Sequence, residues 1–294
     1  MLKMLHRLLR PEPGRQETDA GGQPCADDSS SELSNFAALE QRFREGHGLE
    51  IGGPSWLVFG DEGFAPVYLC AQRLDNCNYA AQTVWEGDIH EGATFAFSGD
   101  APPGRQFISE ASDLSAVADA CYDYVLSSHC IEHLANPLKA LTEWRRVLKP
   151  GGLLLLVLPH KDGTFDHRRP VTPFEHLLSD HAVGMPESDL THLQETLELH
   201  DLERDPWAGG PDAFRERSLR NAENRGLHQH VFDTRLAVRA VDWARMKIHA
   251  VELFLPMHIA IVAEKPTDAH APDNRGYLAE PPPWRSPFPS DATC

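Results

Sequence analysis

The amino-acid sequence predicts an α/β fold built on a doubly wound, mostly parallel sheet with an antiparallel hairpin at one edge. Residues 152–159 are a continuous apolar run bounded by glycine and proline, as expected for a strand buried on both faces. A clear helical pattern separates this run from the apolar segment 122–128, so the three elements form a βαβ unit. Near the end, two strand-like segments, 247–255 and 258–263, are joined by a very short connection, which predicts the hairpin.

The remaining elements follow in chain order. Residues 33–44 have a helical pattern, and residues 48–51 predict a short strand that enters a Gly-Gly-Pro turn. Residues 66–70 predict another short apolar strand. In the central helix, Asn136 is a suitable cap, Pro137 fits the first turn, and apolar residues recur at helical spacing: Leu138, Leu141, Trp144 and Leu148.

A helical insertion is predicted between the fifth strand and the hairpin, at residues 160–230. Its segments 187–202 and 211–225 have helical patterns and are expected to form a lid or substrate cap. Asp233 and Thr234 can cap a further helix that continues to residue 246.

Both ends of the chain are predicted to be disordered tails. Residues 1–34 are poor in large apolar side chains after the first ten positions, and the last 30 residues contain seven prolines. One domain, at residues 35–265, lies between the two tails at residues 1–34 and 266–294.

Composition limits the function. The chain has 294 residues and a formal net charge of −17, which argues against a nucleic-acid binder because phosphate recognition needs a cationic surface. No apolar run approaches the length of a membrane-spanning helix, and residues 1–10 are too short for a secretory signal, so a cytoplasmic location is expected. The oligomeric state is not encoded in any recognisable pattern.

Polar residues and glycines follow the predicted strands, where ligands bind in such sheets. Gly52-Gly53-Pro54 follows the first strand, and Asp75-Asn76 is placed in the loop after the second. Glu110-Ala111 follows the third, and Ser128-His129 ends the fourth. An acid, a glycine turn and a second acid some twenty residues later is an arrangement typical of sites for a ribose-containing ligand.

Residues 122–159 resemble the fourth-strand to fifth-strand block of class I S-adenosylmethionine-dependent methyltransferases, in the methyltransferase type 11 group. The resemblance extends over about residues 46–160. It implies a Rossmann-like fold, S-adenosylmethionine as the cofactor and methyl transfer as the reaction. It also implies cofactor-binding roles in this sequence for Glu50, Gly52, Gly53, Asp75, Glu110, Ala111, Ser128 and His129, with the Asp75 carboxylate on the ribose hydroxyls and Glu110-Ala111 beside the adenine.

One feature departs from the family's G-x-G-x-G loop, because Pro54 and Trp56 occupy the positions of the second and third glycines. Proline fixes φ and has no N–H, so the loop is either remodelled around Gly52-Gly53 or has lost cofactor binding. We favour remodelling, since the acids and the block at residues 129–133 are retained. The alternative is a non-catalytic, methyltransferase-like binding module.

Half of the 16 histidines fall within residues 160–230, where substrate-binding elements are expected. Methyl transfer to a hydroxyl or amine requires a group that removes the acceptor's proton. His160, or His167 oriented by Asp166, is predicted to do this, as an alternative to ordinary hydrogen bonding in loops. Arg168 and Arg169 are predicted either to hold an anionic group of a small-molecule or saccharide substrate or to pair with surface acids.

A metal-dependent, hydrolase-like site is an alternative interpretation of the same histidines. His228 and His230 lie on one segment, and Asp166, His167 and His192 are candidates to complete a ligand set. No H-E-x-x-H helix is present, so no metal is predicted. Glu132 and His133 precede a helix, where capping is as good an explanation as ligand contact.

Overall fold

A computed structural model describes residues 32–99 and 101–292. Eight strands form the main sheet, and two short strands form a separate hairpin. In chain order the strands are β1 (His47–Ile51), β2 (Arg73–Asn78), β3 (Gln82–Thr83), β4 (Gly87–Asp88), β5 (Gly92–Phe95), β6 (Gly104–Ile108), β7 (Tyr122–Ser128), β8 (Leu148–Pro159), β9 (Lys247–Phe254) and β10 (His258–Glu264).

The main sheet has the strand order β5-β6-β2-β1-β7-β8-β10-β9. Strands β6, β2, β1, β7 and β8 pair in parallel, whereas β10 pairs antiparallel with both β8 and β9, and β5 pairs antiparallel with β6. The predicted fold class, a mostly parallel sheet with an antiparallel edge hairpin, is confirmed. The strand predicted at residues 66–70 is wrong, because Val67–Leu69 is a 3-10 turn; a short apolar run does not by itself distinguish a strand from a buried turn.

Eight α-helices surround the sheet in the described part of the chain: α1 (Phe36–Glu45), α2 (Trp56–Phe59), α3 (Pro137–Val147), α4 (Phe174–Val183), α5 (Leu193–Leu199), α6 (Pro211–Leu219), α7 (Asn221–Asn224) and α8 (Thr234–Trp243). The predicted caps are confirmed. The Asn136 side chain accepts a hydrogen bond from the Lys139 backbone at 3.0 Å, and that of Asp233 accepts one from Leu236 at 2.7 Å. None of these helices is long and apolar enough to cross a membrane.

Strand β8 shows why the sheet is covered on both faces. Its side chains alternate between two apolar clusters. Leu154, Leu156 and Leu158 pack with Trp144 of α3 and with α8 on one face. Leu153, Leu155 and Val157 pack on the other face, where Phe43 of α1 meets Tyr124 edge-on at 5.1 Å. All residues of β8 from Gly152 onward are buried, as the continuous apolar run predicted.

The C-terminal segment differs from the disordered tail that the prolines predicted, since residues 266–292 pack against the domain. Phe288 is buried and stacks on His160 at 4.1 Å. The buried Asp291 carboxylate accepts hydrogen bonds from Thr234 and Ser286, both at 2.6 Å. A chain rich in proline can therefore be held by side-chain anchors without joining the sheet. Of the predicted N-terminal tail, residues 1–31 lie outside the described residues.

Candidate active site

The carboxyl ends of β1, β2, β6 and β7 surround one cavity of about 510 Å³. Parallel strands end at the same edge of a sheet, so the loops that follow them meet there. The residues that these loops contribute include Gly52, Pro54, Ser55, Asn78, Tyr79, Ser109, Glu110, Ala111, Ser128, His129, Cys130 and His133. Of the predicted cofactor contacts, the structure thus brings together Gly52, Glu110, Ala111, Ser128 and His129.

The glycine loop has a conformation of its own. Gly52 has a φ of +80°, which favours glycine, and a Cβ on Gly53 would lie 2.2 Å from the Glu50 carboxyl carbon. The Gly53 N–H donates to the Asn76 side chain at 3.1 Å, and the Gly53 carbonyl accepts from Asn76 Nδ2 at 3.0 Å and Asn78 Nδ2 at 2.9 Å. Two asparagines of β2 therefore hold the loop whose second and third glycines are replaced.

Glu50 supports this loop from behind and does not line the cavity. Its fully buried carboxylate accepts hydrogen bonds from the Ser55 N–H at 3.0 Å and the Tyr68 hydroxyl at 2.6 Å. Burial raises the pKa of Glu50 to about 7. The predicted cofactor contact is thus replaced, in the structure, by a role in positioning Ser55.

Asp75 lies away from the cavity, in the first half of β2. Its carboxylate accepts hydrogen bonds from the Tyr122 hydroxyl and the Arg105 N–H, both at 2.8 Å, and lies 3.0 Å from His47 Nε2. Burial raises the pKa of Asp75, but the hydrogen bonds from these three residues outweigh it, so the pKa lies below its usual value. The sequence predicted Asp75 and Asn76 in a loop after the second strand, but both lie within β2, which continues to Asn78.

Asn78 occupies the position at the end of β2 that we had expected Asp75 to fill. It is buried, it lines the cavity, and its Oδ1 has no hydrogen-bond partner among the residues that the structure describes. An acceptor in this state is suited to the hydroxyl of a ligand. Glu86, in the turn between β3 and β4, adds a carboxylate to the same cavity.

The third-strand loop is tied to the helical insertion. Trp144 Nε1 fixes the Ala111 carbonyl with a hydrogen bond of 2.9 Å. Arg225, which follows α7, forms an ion pair with Glu110 and donates to the Glu187 carbonyl at 2.8 Å. Its guanidinium also lies over the Tyr79 ring at 5.3 Å. Arg225 lines the cavity, and no pattern in the sequence singled it out.

Histidines form the end of the cavity next to β7. His129 has a φ of +50°, and its Nε2 lies 2.9 Å from His258 Nδ1. Burial lowers the pKa of His129 well below its usual range. His133 Nδ1 donates to the Leu227 carbonyl at 2.9 Å, which leaves its Nε2 as an acceptor, and burial lowers its pKa to about 3. Both rings are therefore neutral at neutral pH.

A buried carboxylate lies behind these rings. Both oxygens of Glu132 lack a hydrogen-bond partner within the described ranges, and one lies 3.7 Å from His129 Nδ1 and 3.8 Å from His133 Nε2. Burial raises the pKa of Glu132 to about 7. Glu132, His133 and His228 offer ligand atoms within 4.8 Å of one another and so form a candidate cation site.

The predicted proton acceptors are not brought to the cavity. His160 is fully buried beneath Phe288, with its Nε2 3.2 Å from Asp291 Oδ1. Asp166 does not orient His167, because it pairs with Arg169 and His228. His167 binds Asp201 at 2.8 Å instead.

The two arginines predicted for the substrate bind acids of the insertion. Arg168 pairs with Asp201 at 3.0 Å, and the fully buried Arg169 pairs with Glu195 at 2.8 Å and with Asp166 at 3.0 Å. Neither lines the cavity. Of the two alternatives for these arginines, pairing with acids is the one that the structure has.

Part of the chain matches a known protein family, and its fold is similar to several solved structures. Residues 71–156 match the family model described as a methyltransferase domain. Similar solved structures include a putative methyltransferase from Bacillus halodurans, with 14% identity, 80% of this chain and 100% of that chain covered, and a TM-score of 0.42. Another is a SAM-dependent methyltransferase from Methanosarcina mazei, with 15% identity, 81% and 100% covered, and a TM-score of 0.44.

A third similar structure is the 1,6-didemethyltoxoflavin-N1-methyltransferase of Burkholderia thailandensis with S-adenosylhomocysteine bound. It has 13% identity, 81% of this chain and 80% of that chain covered, and a TM-score of 0.43. No curated protein matches the chain. The match of residues 71–156 to the methyltransferase-domain model agrees with the predicted resemblance.

Proposed function

We propose that the protein transfers the methyl group of S-adenosylmethionine to a small-molecule acceptor in the cavity at the carboxyl edge of the sheet. The observation that carries the proposal is that the loops after β1, β2, β6 and β7 all line this one cavity. Its volume of about 510 Å³ lies within the range of small-molecule sites. The same four loops are those in which the resemblance places the cofactor.

The residues present fit that cofactor. In our assignment, the loop at Gly52 holds the amino-acid end, and Ser109, Glu110 and Ala111 lie beside the adenine. Asn78, rather than Asp75, accepts from the ribose, because its Oδ1 is buried at the cavity without a partner in the described structure. When bound, the cofactor supplies a methyl group on a positively charged sulfur.

The acceptor side is formed in our proposal by His129, His133 and the residues that precede β10. Methyl transfer is an in-line displacement, so these residues align the acceptor and take its proton. His133 lines the cavity, and its Nε2 lies 3.8 Å from Glu132 Oε1. The pair takes the acceptor's proton and holds it between these two atoms, with Glu132, whose pKa is raised to about 7, as the more basic member. This pair replaces His160 and His167 as the proposed proton acceptor.

Aromatic faces flank the cavity, since Trp56 and Trp85 both line it. The Trp85 Nε1 donor is buried and lacks a partner in the portion of the chain that is described. Planar rings and sugars both pack on aromatic faces, so we include saccharides among the proposed small-molecule acceptors.

Calorimetric titration with S-adenosylmethionine and S-adenosylhomocysteine tests the proposal. We expect micromolar binding of both ligands to the full chain. If the folded protein binds neither ligand at millimolar concentration, the result would contradict the proposed methyltransferase activity and favour a non-catalytic module. With binding established, His133→Asn and Glu132→Gln should retain cofactor affinity and lose turnover once an acceptor is found.

A further inference from the structure

A second cluster of histidines lies outside the cavity, in the insertion. His176 belongs to α4, His192 precedes α5, and His230 lies in the segment that leads to α8. The Nε2 atoms of His176 and His192 are 3.0 Å apart, and all three residues offer a ligand atom within 4.8 Å of the others. His230 is 1% exposed, so this cluster reaches into the interior.

A carboxylate lies next to this cluster. Asp180 lies one helical turn after His176, and its Oδ2 is 3.3 Å from His176 Nε2 and 3.6 Å from His230 Nε2. Asp180 is 2% exposed, and its Oδ2 accepts no hydrogen bond within residues 32–99 and 101–292. Its backbone is fixed independently, because the Asp180 carbonyl accepts from Asn136 Nδ2 at 3.0 Å.

We propose that His176, Asp180, His192 and His230 bind one zinc ion. Tetrahedral zinc with bonds of about 2.0–2.1 Å places neighbouring ligand atoms about 3.3 Å apart. Three of the six ligand-to-ligand distances are 3.0, 3.3 and 3.6 Å, which bracket that value. His230 Nε2 also lies 3.4 Å from the Ala135 carbonyl, a contact that zinc binding would replace. Three imidazoles and one carboxylate suit zinc better than calcium or magnesium, which prefer sets of oxygen ligands.

This zinc site is structural. Four protein ligands leave no position for substrate, and none of the four residues lines the cavity. The site joins α4, the approach to α5 and the segment before α8. The backbone N–H of His230 also donates to the Glu132 carbonyl at 3.1 Å, so the site supports the loop that carries Glu132 and His133.

The test is the metal content of the full-length protein, measured by mass spectrometry after purification without a metal-affinity column. We expect one zinc per chain at this site. His192→Ala should lose that equivalent, because His192 is a partly exposed ligand whose removal need not unfold the core. Asp180→Asn is a second variant that removes the carboxylate with almost no change in size.

Two controls locate the metal. His181→Ala changes a neighbouring histidine of α4 that contacts Trp243 instead of the cluster, and it should keep the zinc. His228→Ala changes the cation site beside the cavity and should also keep this equivalent. Zinc that is lost in His228→Ala but retained in His192→Ala would overturn the proposal.

Zinc titration of chelator-treated protein covers the case of a protein purified without metal. We expect stoichiometric binding to the wild type, weakened by at least roughly 100-fold in Asp180→Asn, and a melting temperature that rises with zinc only in proteins with all four ligands. Cobalt should give the visible absorption of a four-coordinate ion. Absence of tight binding to folded wild-type protein would refute the site and leave hydrogen-bonded histidines in its place.

Discussion

Two alanine variants in one strand separate a structural aspartate from a cofactor-binding asparagine. Asp75→Ala removes the acceptor of the Tyr122 hydroxyl, whose hydrogen bond is buried, and of the Arg105 N–H, whose hydrogen bond is partly buried. At about 1–3 kcal/mol for each unpaired donor, two donors correspond to roughly 2–6 kcal/mol of unfolding free energy, and the partly exposed Arg105 N–H places the expected loss in the lower half of that range. Cofactor affinity should stay within about twofold of the wild type, since Asp75 does not line the cavity.

Asn78→Ala should show the opposite behaviour. It removes the proposed ribose acceptor and one hydrogen bond to the Gly53 carbonyl. The loss of about 1–1.5 kcal/mol of binding free energy corresponds to a dissociation constant roughly 5- to 12-fold higher for S-adenosylhomocysteine. Denaturant unfolding and calorimetry on the same preparations measure both quantities. A folded Asp75→Ala protein that no longer binds, beside an Asn78→Ala protein that binds normally, would refute our placement of the ribose.

Three further changes test other parts of the structure. Pro54→Gly should weaken S-adenosylhomocysteine binding several-fold in calorimetry, because glycine loosens a loop already shaped around proline; unchanged or tighter binding would instead indicate a degenerate loop. Glu50 has a pKa raised from 4.5 to about 7, so it binds its proton more tightly in the folded state, and unfolding free energy should fall as pH rises from about 4.5 to 7. Glu50→Gln should reduce that slope in denaturant titrations at several pH values, and an unaltered slope would contradict the assignment. Phe288→Ala should lower the unfolding free energy by up to about 3–5 kcal/mol and expose the C-terminal segment to proteolysis, whereas a truly disordered tail would show neither effect.

The parts of the fold that the sequence predicted are those with a strong local pattern. Strand β7, helix α3 and strand β8 are marked in the sequence by apolar runs, helical periodicity and an asparagine cap, and the structure has all three elements. Strand β2 was harder to place because its residues, Arg-Leu-Asp-Asn-Cys-Asn, are mostly polar. Its asparagines bind neighbouring loops, so burial here is not marked by apolar residues.

The candidate site was predicted only in part, because local sequence patterns locate strand ends but not contacts between distant residues. Gly52, Glu110, Ala111, Ser128 and His129 follow strands, and strand ends can be found from sequence. The partners of the insertion's charged residues cannot be found this way. His160 meets Asp291, 131 positions later, and Asp166 meets His228, 62 positions later. Such pairings depend on how the insertion folds back on the domain. Residue spacing in the sequence does not indicate that folding.

In the segment with His228 and His230, the fold of the backbone determines which cluster each histidine joins. The sequence suggested two imidazoles of a single site, but the backbone bends at residues 227, 229 and 230. His228 consequently joins Glu132 and His133 beside the cavity, where burial lowers its pKa and the Asp166 carboxylate more than offsets that effect, so the pKa is raised. His230 joins the zinc ligands instead. Only Gln229 separates these two histidines, so one short segment of the insertion holds both the proposed zinc ligand His230 and His228 beside the cavity. We therefore expect loss of the zinc to displace His228 as well.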